Sequence, residues 1–541
     1  MMKKHFICIS AFLSLVVSVT VAFADSGDNF VLLYSTLGYE LNGTKRALVR
    51  TIDAIDEKTI DAAESKWLLI NSKGTEKASG VLKWLGMTYG AQLWEIDFSH
   101  CQTPGKYRLR VNLKGKSGKE ICGLESLEFE IAENLYTKRL FYGLTVNNAE
   151  SREAKESEGF GYYDCTSSMG ERDSHAAFME GLIQSYIRRQ HIMSPTDKTR
   201  LIRAVNICFD YLILLHDSIK GNVNNQYPTR HNEYIHLGNY ANISVIEGLL
   251  SYLGLFSHID PIRAKEAYKR VFVIRRYIDN KMPLWFTSRK KIMYNYYLYK
   301  YAGNPAFKEA SIAALNDYLL NFKKKNLYSG GWRFRPRFEG LYHLAKEFKD
   351  DPNRPFWIEK AKEISIKHLP YILKNNHFHV LPQGNQKNWD DMSRVPAVSG
   401  WGGFYANTHF AASTIDAVYL AEITGDRSLE KIAAGSMGWL TGLHVGLPAH
   451  GVLNPPTSKP IASAAFIMNL DARCARAWTN WRWWGPPDKK AMSVMNGFVV
   501  KNGKWAYPDE WPSAEIFIHH DGAFLYAMVV YENYLNKVKK Q

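Results

Sequence analysis

The sequence predicts two domains of different structural class, an immunoglobulin-like β-sandwich over residues 25–134 and an (α/α)6 barrel over residues 135–541. Short runs rich in β-forming residues precede position 133, whereas segments with helical periodicity follow Tyr136. The helical segments show no tight internal repeat. This favours six helical hairpins closed into a barrel over an open solenoid.

Residues 1–24 have the pattern of a cleaved targeting peptide. A basic start with Lys3 and Lys4 precedes an apolar run, which ends at the small-x-small site Ala22-Phe23-Ala24. The run is too short and too close to the N-terminus for a good membrane span. We therefore expect a signal peptide cleaved after Ala24, a periplasmic or secreted mature protein, and no transmembrane segment.

The sandwich prediction rests on the length and spacing of the apolar runs. Alternation is clearest in residues 106–112, which follow the turn Thr103-Pro104-Gly105, and it is typical of a half-buried strand. Six such strands, with room for a seventh, within about 100 residues match an immunoglobulin-type sandwich. The predicted strands are residues 32–34, 46–51, 67–70, 93–98, 106–112 and 126–131.

The helical part is predicted to contain about twelve helices and three long connections. The helices are residues 136–148, 174–192, 196–218, 239–256, 259–278, 288–302, 304–322, 336–349, 355–376, 407–424, 427–442 and 521–537. The connections, residues 150–173, 377–406 and 443–520, carry Trp, His, Asp or Glu. Long loops in a compact domain are usually functional, so we expect these three to build one end of the barrel.

Composition excludes several classes of function. The formal net charge of +15 would suit an acidic polymer, but no zinc-finger, RNA-binding or helix-turn-helix signature accompanies it, so no nucleic-acid partner is predicted. No Gly-rich phosphate loop, nucleophile elbow or HExxH zinc motif is present. An odd number of cysteines follows the signal peptide, and Cys101 and Cys122 are candidates for one disulfide.

One carboxylate stands out near the C-terminus. Glu515 precedes the last predicted helix, in a region rich in tryptophan. Poor solvation among aromatic rings would raise the pKa of this carboxyl, and a neutral carboxyl near pH 7 can protonate a leaving oxygen. The local sequence is explained equally well by an ordinary first-turn glutamate, favoured by the helix dipole.

The order and spacing of several motifs resemble glycoside hydrolase family 9. Leu37-Gly38-Tyr39 before Lys45-Arg46-Ala47, and Asp97-Phe98-Ser99 before Gly105-Lys106-Tyr107, resemble the immunoglobulin-like domain that precedes many family 9 barrels. Glu515-x-x-Ile518-x-x-Asp521-Gly522 resembles the family's ending, a catalytic Glu followed by Ile and then Asn-Ala. The resemblance implies an (α/α)6 catalytic domain in which Glu515 is the general acid.

The family's water-binding motif is partly retained. Family 9 enzymes usually carry Tyr-Asp-Ala-Gly-Asp, whose two Asp residues hold the attacking water, and the equivalent here is Tyr163-Asp164-Cys165-Thr166-Ser167. Asp164 matches the first Asp, and Ser167 replaces the second, which is usually the main base. Either Asp164 acts alone or Asp173 supplies the missing carboxylate. N-capping of the helix from Ser174 is the favoured role of Asp173.

The family's His-Arg substrate motif is not recognisable, so the predicted substrate differs from plain cellulose. Arg473 and Arg476 lie three residues apart and could clamp a carboxylate or sulfate, which suits an acidic sugar; surface salt bridging is the alternative. The other predicted sugar-binding residues are Trp332, Trp401, Trp478, Trp511 and His450. No cofactor or metal is predicted, although calcium at residues 388–391 is left open.

The sequence thus predicts an extracytoplasmic glycoside hydrolase that cleaves a poly- or oligosaccharide with inversion. Glu515 is the acid, and Asp164, helped by Asp173 or a substrate group, is the base. Two alternatives stay open because Ser167 replaces a carboxylate. One is a polysaccharide lyase on a similar barrel, with a His or Tyr base; the other is a non-catalytic carbohydrate-binding protein. Further candidates for acid–base residues or ligands are His175, His409 and His450, although lone histidines usually have structural roles. The sugar, the linkage, endo or exo action and the oligomeric state are not predicted.

Overall fold

In the computed structural model the regular elements up to Ala132 are strands, and helices with a few short strands follow from Leu135 onward. The structure describes residues 30–51, 60–154, 160–164, 172–214, 216–217, 222–223, 238–281, 284, 286–327, 336–374, 376–381, 406–446, 461–470, 488–497, 499–501, 504–506 and 516–540.

Ten strands form the N-terminal β-sandwich. They are β1 (Phe30–Leu33), β2 (Tyr39–Glu40), β3 (Arg46–Thr51), β4 (Lys66–Asn71), β5 (Glu76–Val81), β6 (Lys83–Thr88), β7 (Ala91–Asp97), β8 (Gly105–Lys114), β9 (Glu120–Glu125) and β10 (Phe129–Ala132). One sheet has the order β1-β3-β7-β6, and the other has the order β2-β10-β8-β4-β5 with β9 paired to β8. The core between the sheets includes the buried side chains of Trp67, Trp94 and Leu109.

All six predicted strands overlap observed ones, and four strands were missed. The missed strands, β2, β5, β6 and β9, lie at sheet edges. β5 buries only the small side chain of Ala78, and the half-buried Ile121 and Leu124 of β9 are three positions apart. Neither strand therefore shows the alternating apolar pattern on which the prediction depends. The candidate disulfide is also wrong, because Cys101 and Cys122 are free thiols.

The helical domain contains a helix for each of the twelve predicted. The helices of the described residues are α1 (Leu135–Leu144), α2 (Val146–Arg152), α3 (Arg172–Arg189), α4 (Pro195–Leu214), α5 (Gly238–Phe256), α6 (Pro261–Lys281), α7 (Ser288–Ala302), α8 (Pro305–Leu320), α9 (Glu339–Glu347), α10 (Arg354–Glu363), α11 (Leu369–Leu373), α12 (Ala406–Thr424), α13 (Glu430–Thr441) and α14 (Ile518–Lys539). The first predicted helix is divided at Thr145, and the ninth continues from α10 through a π-helical turn into α11.

Short strand pairs accompany the helices. They are β11 (His216–Asp217) with β12 (Asn222–Val223), β13 (Ile467–Leu470) with β14 (Asp488–Val494), and β15 (Val499–Lys501) with β16 (Lys504–Ala506). Four of these strands lie in the predicted connection 443–520, which the sequence analysis left without strands. β14 packs against α1, α2 and α14, so its position is fixed by tertiary contacts that a local pattern does not reveal.

Six helices form a closed inner ring. Its order is α3-α5-α7-α9-α12-α14, and α14 packs back against α3. α4, α6, α8, α10 and α13 each pack outside the inner helix that precedes them in the chain, while α1 contacts α14 and α2 contacts α4. A ring of six inner helices surrounded by outer helices is the predicted (α/α)6 architecture.

The inner helices run in the same direction. Gly248 of α5 packs on Ala176 of α3, and further along both helices Phe256 packs on Tyr186. The same order of contacts relates four further pairs of neighbours and thereby links all six helices. The contacts are Tyr297–Glu339 and Lys300–Glu347, Tyr342–Tyr419 and Lys346–Glu422, Tyr419–Tyr526 and Glu422–Lys537, and Ala177–Gly522 and Arg189–Glu532. All six therefore begin at one end of the ring, here called the mouth. The three long connections each lead into an inner helix, so all three reach the mouth.

The start of α14 packs very closely on α3. A Cβ added to Gly522 would lie 2.2 Å from the carbonyl oxygen of Ala177 and 2.7 Å from the Cα of Phe178. A Cβ added to Gly181 would lie 2.4 Å from the carbonyl oxygen of Gly522. The two helices therefore touch through their backbones, and even an Ala side chain has no space at position 522.

Replacing Gly522 with Ala is expected to destabilise the protein by about 1–3 kcal/mol, because the backbones of α3 and α14 must move apart. Urea unfolding measures this effect. Gly438→Ala is the control, since the nearest atom to its added Cβ lies at 3.4 Å, an ordinary contact. A Gly522→Ala protein as stable as the Gly438→Ala protein would contradict the close packing.

The sandwich is joined to the helical domain by hydrogen bonds between buried groups. The Ser35 hydroxyl donates to the Thr441 hydroxyl at 2.7 Å, and the Tyr34 N–H donates to the Ser463 hydroxyl at 3.0 Å. Arg46 donates to the His377 carbonyl oxygen at 3.0 Å. These contacts fix the two domains against each other. Within the described residues, no helix is long and apolar enough to cross a bilayer.

Candidate active site

Two of the predicted site residues, Asp164 and Asp173, lie in the described part of the chain. The others lie outside it: Glu515, Trp332, Trp401, Trp478, Trp511, Arg473, Arg476 and His450, together with Ser167 and residues 388–391.

Asp164 lies at the mouth, beside the beginning of α14. The N–H of Ile518, the first residue of α14, donates to the backbone carbonyl oxygen of Asp164 at 2.8 Å. The Asp164 side chain is fully buried. The segment before α3 and the start of α14 therefore meet directly, although 354 positions separate their residue numbers.

The backbone before Asp164 is held by its neighbours. The Tyr163 N–H donates to the Arg152 carbonyl oxygen at 2.8 Å. In turn, a guanidinium N–H of Arg152 donates to the Tyr163 carbonyl oxygen at 3.1 Å. One residue earlier, the Tyr162 N–H donates to Nε2 of His175 at 2.8 Å. A carboxylate on such a fixed backbone is suited to holding a small molecule, such as a water, in one orientation.

Asp173 lies inside the first turn of α3. The helix begins at Arg172, so the predicted role of Asp173 as the residue preceding the helix is wrong. Its side chain is partly buried, and the helix dipole favours a carboxylate there. Asp173 is near the mouth because α3 begins there.

Of the three histidines considered as acid–base residues, the two that lie in the described ranges have structural contacts. His175 accepts the Tyr162 N–H and stacks on the Tyr211 ring, with centroids 3.7 Å apart. His409 lies between the Arg337 guanidinium and the Leu381 carbonyl oxygen, at 3.2 Å and 3.0 Å. These contacts favour structural roles for His175 and His409.

Two other histidines at the mouth were missed by the sequence analysis. His519 and His520 are buried in the first turn of α14, next to Phe517. Burial lowers the pKa of His520 well below its usual value, and His519 lowers it further, so His520 is neutral at pH 7. Their position, four and five residues after the predicted catalytic Glu515, was the signal that could have drawn attention to them.

A cavity lined by apolar, aromatic and charged side chains lies near the starts of α7 and α9. This open cavity of about 430 Å³ is bordered by α5, α7 and α9, and it is lined by Glu247, Phe286, Arg289, Tyr294 and Glu339, among others. Glu339 accepts a hydrogen bond from the Tyr526 hydroxyl at 3.0 Å. Aromatic rings beside charged groups can hold sugars by stacking and by hydrogen bonds to hydroxyls. No local sequence pattern predicts this cavity, because its residues come from separate helices.

The described residues contain no cluster of three or more His, Cys, Asp or Glu side chains arranged to hold a metal ion. Calcium at residues 388–391 stays a prediction, since these residues lie outside the described ranges.

Comparison with known proteins agrees with both halves of this architecture. Residues 34–116 match the family model of the cellulase N-terminal ig-like domain. Across 93% of this chain and 99% of the other, the structure matches a metagenome-derived glycoside hydrolase family 9 endoglucanase, with a TM-score of 0.64 and 12% identity. The chain has the fold of the family 9 endoglucanases.

Two further structures support the same conclusion about the fold. A single mutant of the thermostable endoglucanase from Alicyclobacillus acidocaldarius matches with a TM-score of 0.62 and 12% identity, over 93% of this chain and 99% of that one. The family 9 endoglucanase J30 matches with a TM-score of 0.61 and 10% identity, over 91% and 99%. Curated protein sequences give no significant match. At 10–12% identity the likeness establishes the fold.

Proposed function

We propose that this protein is a glycoside hydrolase that cleaves a poly- or oligosaccharide at the mouth of the helical ring by an inverting mechanism. The observation that carries the proposal is the hydrogen bond from Ile518 to Asp164. It joins the segment holding the predicted base to the helix that directly follows the predicted acid, Glu515. The family 9 fold is consistent with this use of the mouth.

The proposed reaction needs two carboxyl groups on opposite sides of the sugar ring. Glu515 donates its proton to the glycosidic oxygen as the bond to the anomeric carbon breaks. Asp164 takes a proton from a water whose oxygen attacks that carbon from the other face. Inverting enzymes hold such carboxyl groups about 6.5–9.5 Å apart, which leaves room for the water.

Asp164 is proposed as the main base. Its backbone is fixed by Tyr163 and Ile518, whereas Asp173 lies in a helical turn where a carboxylate has an ordinary structural reason to be. Ser167 cannot take a proton from water as a carboxylate does. A single fixed Asp is therefore the simplest base that this chain offers, with Asp173 or a substrate group in an assisting role.

The proposed substrate is a polysaccharide other than plain cellulose, with acidic sugars favoured by the net charge of +15. The cavity between α5, α7 and α9 adds Arg289 and Tyr294 to the groups available for sugar binding. Arg473, Arg476, Trp332, Trp401, Trp478, Trp511 and His450 stay proposed substrate-binding residues. The targeting pattern of residues 1–24 supports a periplasmic or secreted location.

The stereochemistry of the product tests this function. Proton NMR of freshly released sugar is expected to show first the anomer opposite to that of the cleaved bond, because water attacks from the far side. The anomer should then equilibrate. Release of the original anomer would contradict the proposal, since both retaining hydrolysis and elimination preserve that configuration.

A polysaccharide lyase is the second candidate. It is favoured by His519 and His520, because elimination from a uronate needs a base such as histidine near the substrate. The same NMR experiment separates the two, since elimination produces an unsaturated sugar with an olefinic proton. Loss of cleavage in His519→Ala, combined with full activity of Asp164→Asn, would favour the lyase.

A further inference from the structure

A buried ion pair lies behind the two proposed catalytic segments. Arg152 is the last residue of α2, and Asp521 lies in the first turn of α14. Their side chains are fully buried, with a guanidinium nitrogen 3.7 Å from Oδ2 of Asp521. Removing two charged groups from water carries a large desolvation penalty. A buried ion pair at this place is therefore expected to have a specific role.

Asp521 joins three elements through its carboxylate. Oδ1 accepts the Val494 N–H at 2.6 Å and the Ser493 hydroxyl at 2.9 Å, both from β14. Oδ2 accepts the Asn148 side-chain amide of α2 at 2.7 Å. Burial raises the pKa of Asp521 to about 6, and Arg152 and these hydrogen bonds oppose the rise. Asp521 is therefore charged at neutral pH, and Arg152 is its counter-charge.

Arg152 completes the connection to Asp164. Its guanidinium donates to Oδ1 of Asn148 at 2.8 Å, to the Ser493 hydroxyl at 2.8 Å and to the Tyr163 carbonyl oxygen at 3.1 Å. Tyr163 is the residue before Asp164. The start of α14 is thus tied to the Asp164 segment twice, directly through Ile518 and indirectly through Asp521 and Arg152.

We infer that Arg152 and Asp521 are positioning residues that hold Asp164 and the start of α14 at the separation that acid–base cleavage requires. This inference rests on the proposed hydrolase function. The pair acts through Tyr163 and Ile518 and is not proposed to contact the substrate. The resemblance to family 9 implies Asn at position 521, and this chain has a carboxylate there instead.

The first test is Asp521→Asn, which removes the charge with little change in shape. We expect kcat to fall by about 10- to 100-fold, because displacement of a reacting group by about 1 Å has an effect of this size. KM should change by less than about threefold, since the sugar-binding groups remain. Steady-state kinetics on a substrate that the wild-type protein cleaves measures both values.

The second test moves the carboxylate to the neighbouring side chain by combining Asn148→Asp with Asp521→Asn. The carboxylate introduced at position 148 can accept from Arg152 and from the amide introduced at position 521. The charge and the amide–carboxylate hydrogen bond therefore both return. We expect kcat to recover at least fivefold over Asp521→Asn. A purely structural loss of packing would not be repaired by this exchange.

Glu532→Gln is the matched control, because Glu532 forms another buried ion pair on α14, with Arg189 at 2.7 Å. It should lower the unfolding midpoint and leave kcat of the folded enzyme unchanged. A folded Asp521→Asn with wild-type kcat, or a double variant without recovery, would overturn the inference. Failure of the hydrolase proposal itself would appear separately, as normal turnover by Glu515→Gln.

Discussion

Replacing Glu515 with Gln is expected to lower kcat on the natural substrate by about 10²–10⁴-fold, the usual contribution of a general acid. Glutamine has nearly the same shape, so substrate binding should persist while proton donation is lost. The loss should be much smaller on a substrate with an activated aryl leaving group, which departs without a proton. Steady-state kinetics on both substrates measures the two losses. A much larger loss of kcat on the natural substrate than on the aryl substrate would identify Glu515 as the general acid.

Asp164→Asn provides the complementary result. We expect a similar loss of kcat on both substrates, because activation of water is needed whatever the leaving group is. Asp173→Asn is the matched comparison from the same part of the mouth, and it should retain activity within about tenfold. If Asp173→Asn lost as much activity as Asp164→Asn, the base would have to be reassigned or shared between the two residues.

Glu532→Gln is expected to cost about 3–5 kcal/mol of stability, the usual effect of breaking a buried ion pair from one side. Glu532 accepts the N–H of Thr137 at 2.8 Å and the hydroxyl of the same residue, and it pairs with Arg189 at 2.7 Å. All these groups are buried, so the substitution leaves the arginine charge without its partner. Urea unfolding measures the loss.

An exposed ion pair serves as the control for this prediction. Arg275 and Asp279 are four residues apart on α6, and the Asp279 side chain is about half exposed. Asp279→Asn should change stability by less than about 0.5 kcal/mol. Equal losses of stability in Asp279→Asn and Glu532→Gln would show that burial of the Arg189–Glu532 pair does not increase its contribution to stability.

Glu40 is the neighbour of Glu532 from the sandwich, and its replacement by Gln should have the opposite effect on stability at high pH. Burial raises the pKa of Glu40 well above its usual value, and the Glu532 charge raises it further. The folded protein therefore keeps Glu40 protonated above pH 4.5, where the unfolded chain loses that proton. The stabilising contribution of Glu40 is present at low pH and is lost as pH rises toward the folded pKa.

Glu40→Gln should accordingly raise the unfolding temperature near pH 8 and have little effect near pH 4.5. The amide oxygen can still accept the Tyr136 N–H, which donates to Glu40 at 3.2 Å. Thermal unfolding as a function of pH measures the difference. A destabilisation of equal size at both pH values would contradict the assignment of Glu40 as the protonated member of the pair.

The sequence predicted the regular elements well where the pattern is long. Every predicted helix has a counterpart because amphipathic segments of ten or more residues repeat their apolar face several times. The edge strands β5 and β9 were not predicted, because the residues of an edge strand face solvent along the open edge of the sheet as well as on one of its faces. Ring closure between α3 and α14 depends on Gly181 and Gly522, whose facing positions no local pattern reveals.

The candidate site was predictable only in part. Asp164 was identified through its resemblance to a family motif, and the structure places its backbone beside the start of α14. The pairing of Arg152 with Asp521 was missed because the two residues are 369 positions apart in the sequence. The available signal was Asp521 itself, where the resemblance implies Asn, since a buried carboxylate requires a counter-charge somewhere in the fold.

The most direct test of the central claim is mass spectrometry of products formed in water labelled with heavy oxygen, using neutral, amino and acidic polysaccharides as substrates. Hydrolysis at the mouth predicts one labelled water added per cleaved bond, at the new reducing end. Products that lack the added water and contain an unsaturated sugar would contradict the account and place the chemistry with the lyases.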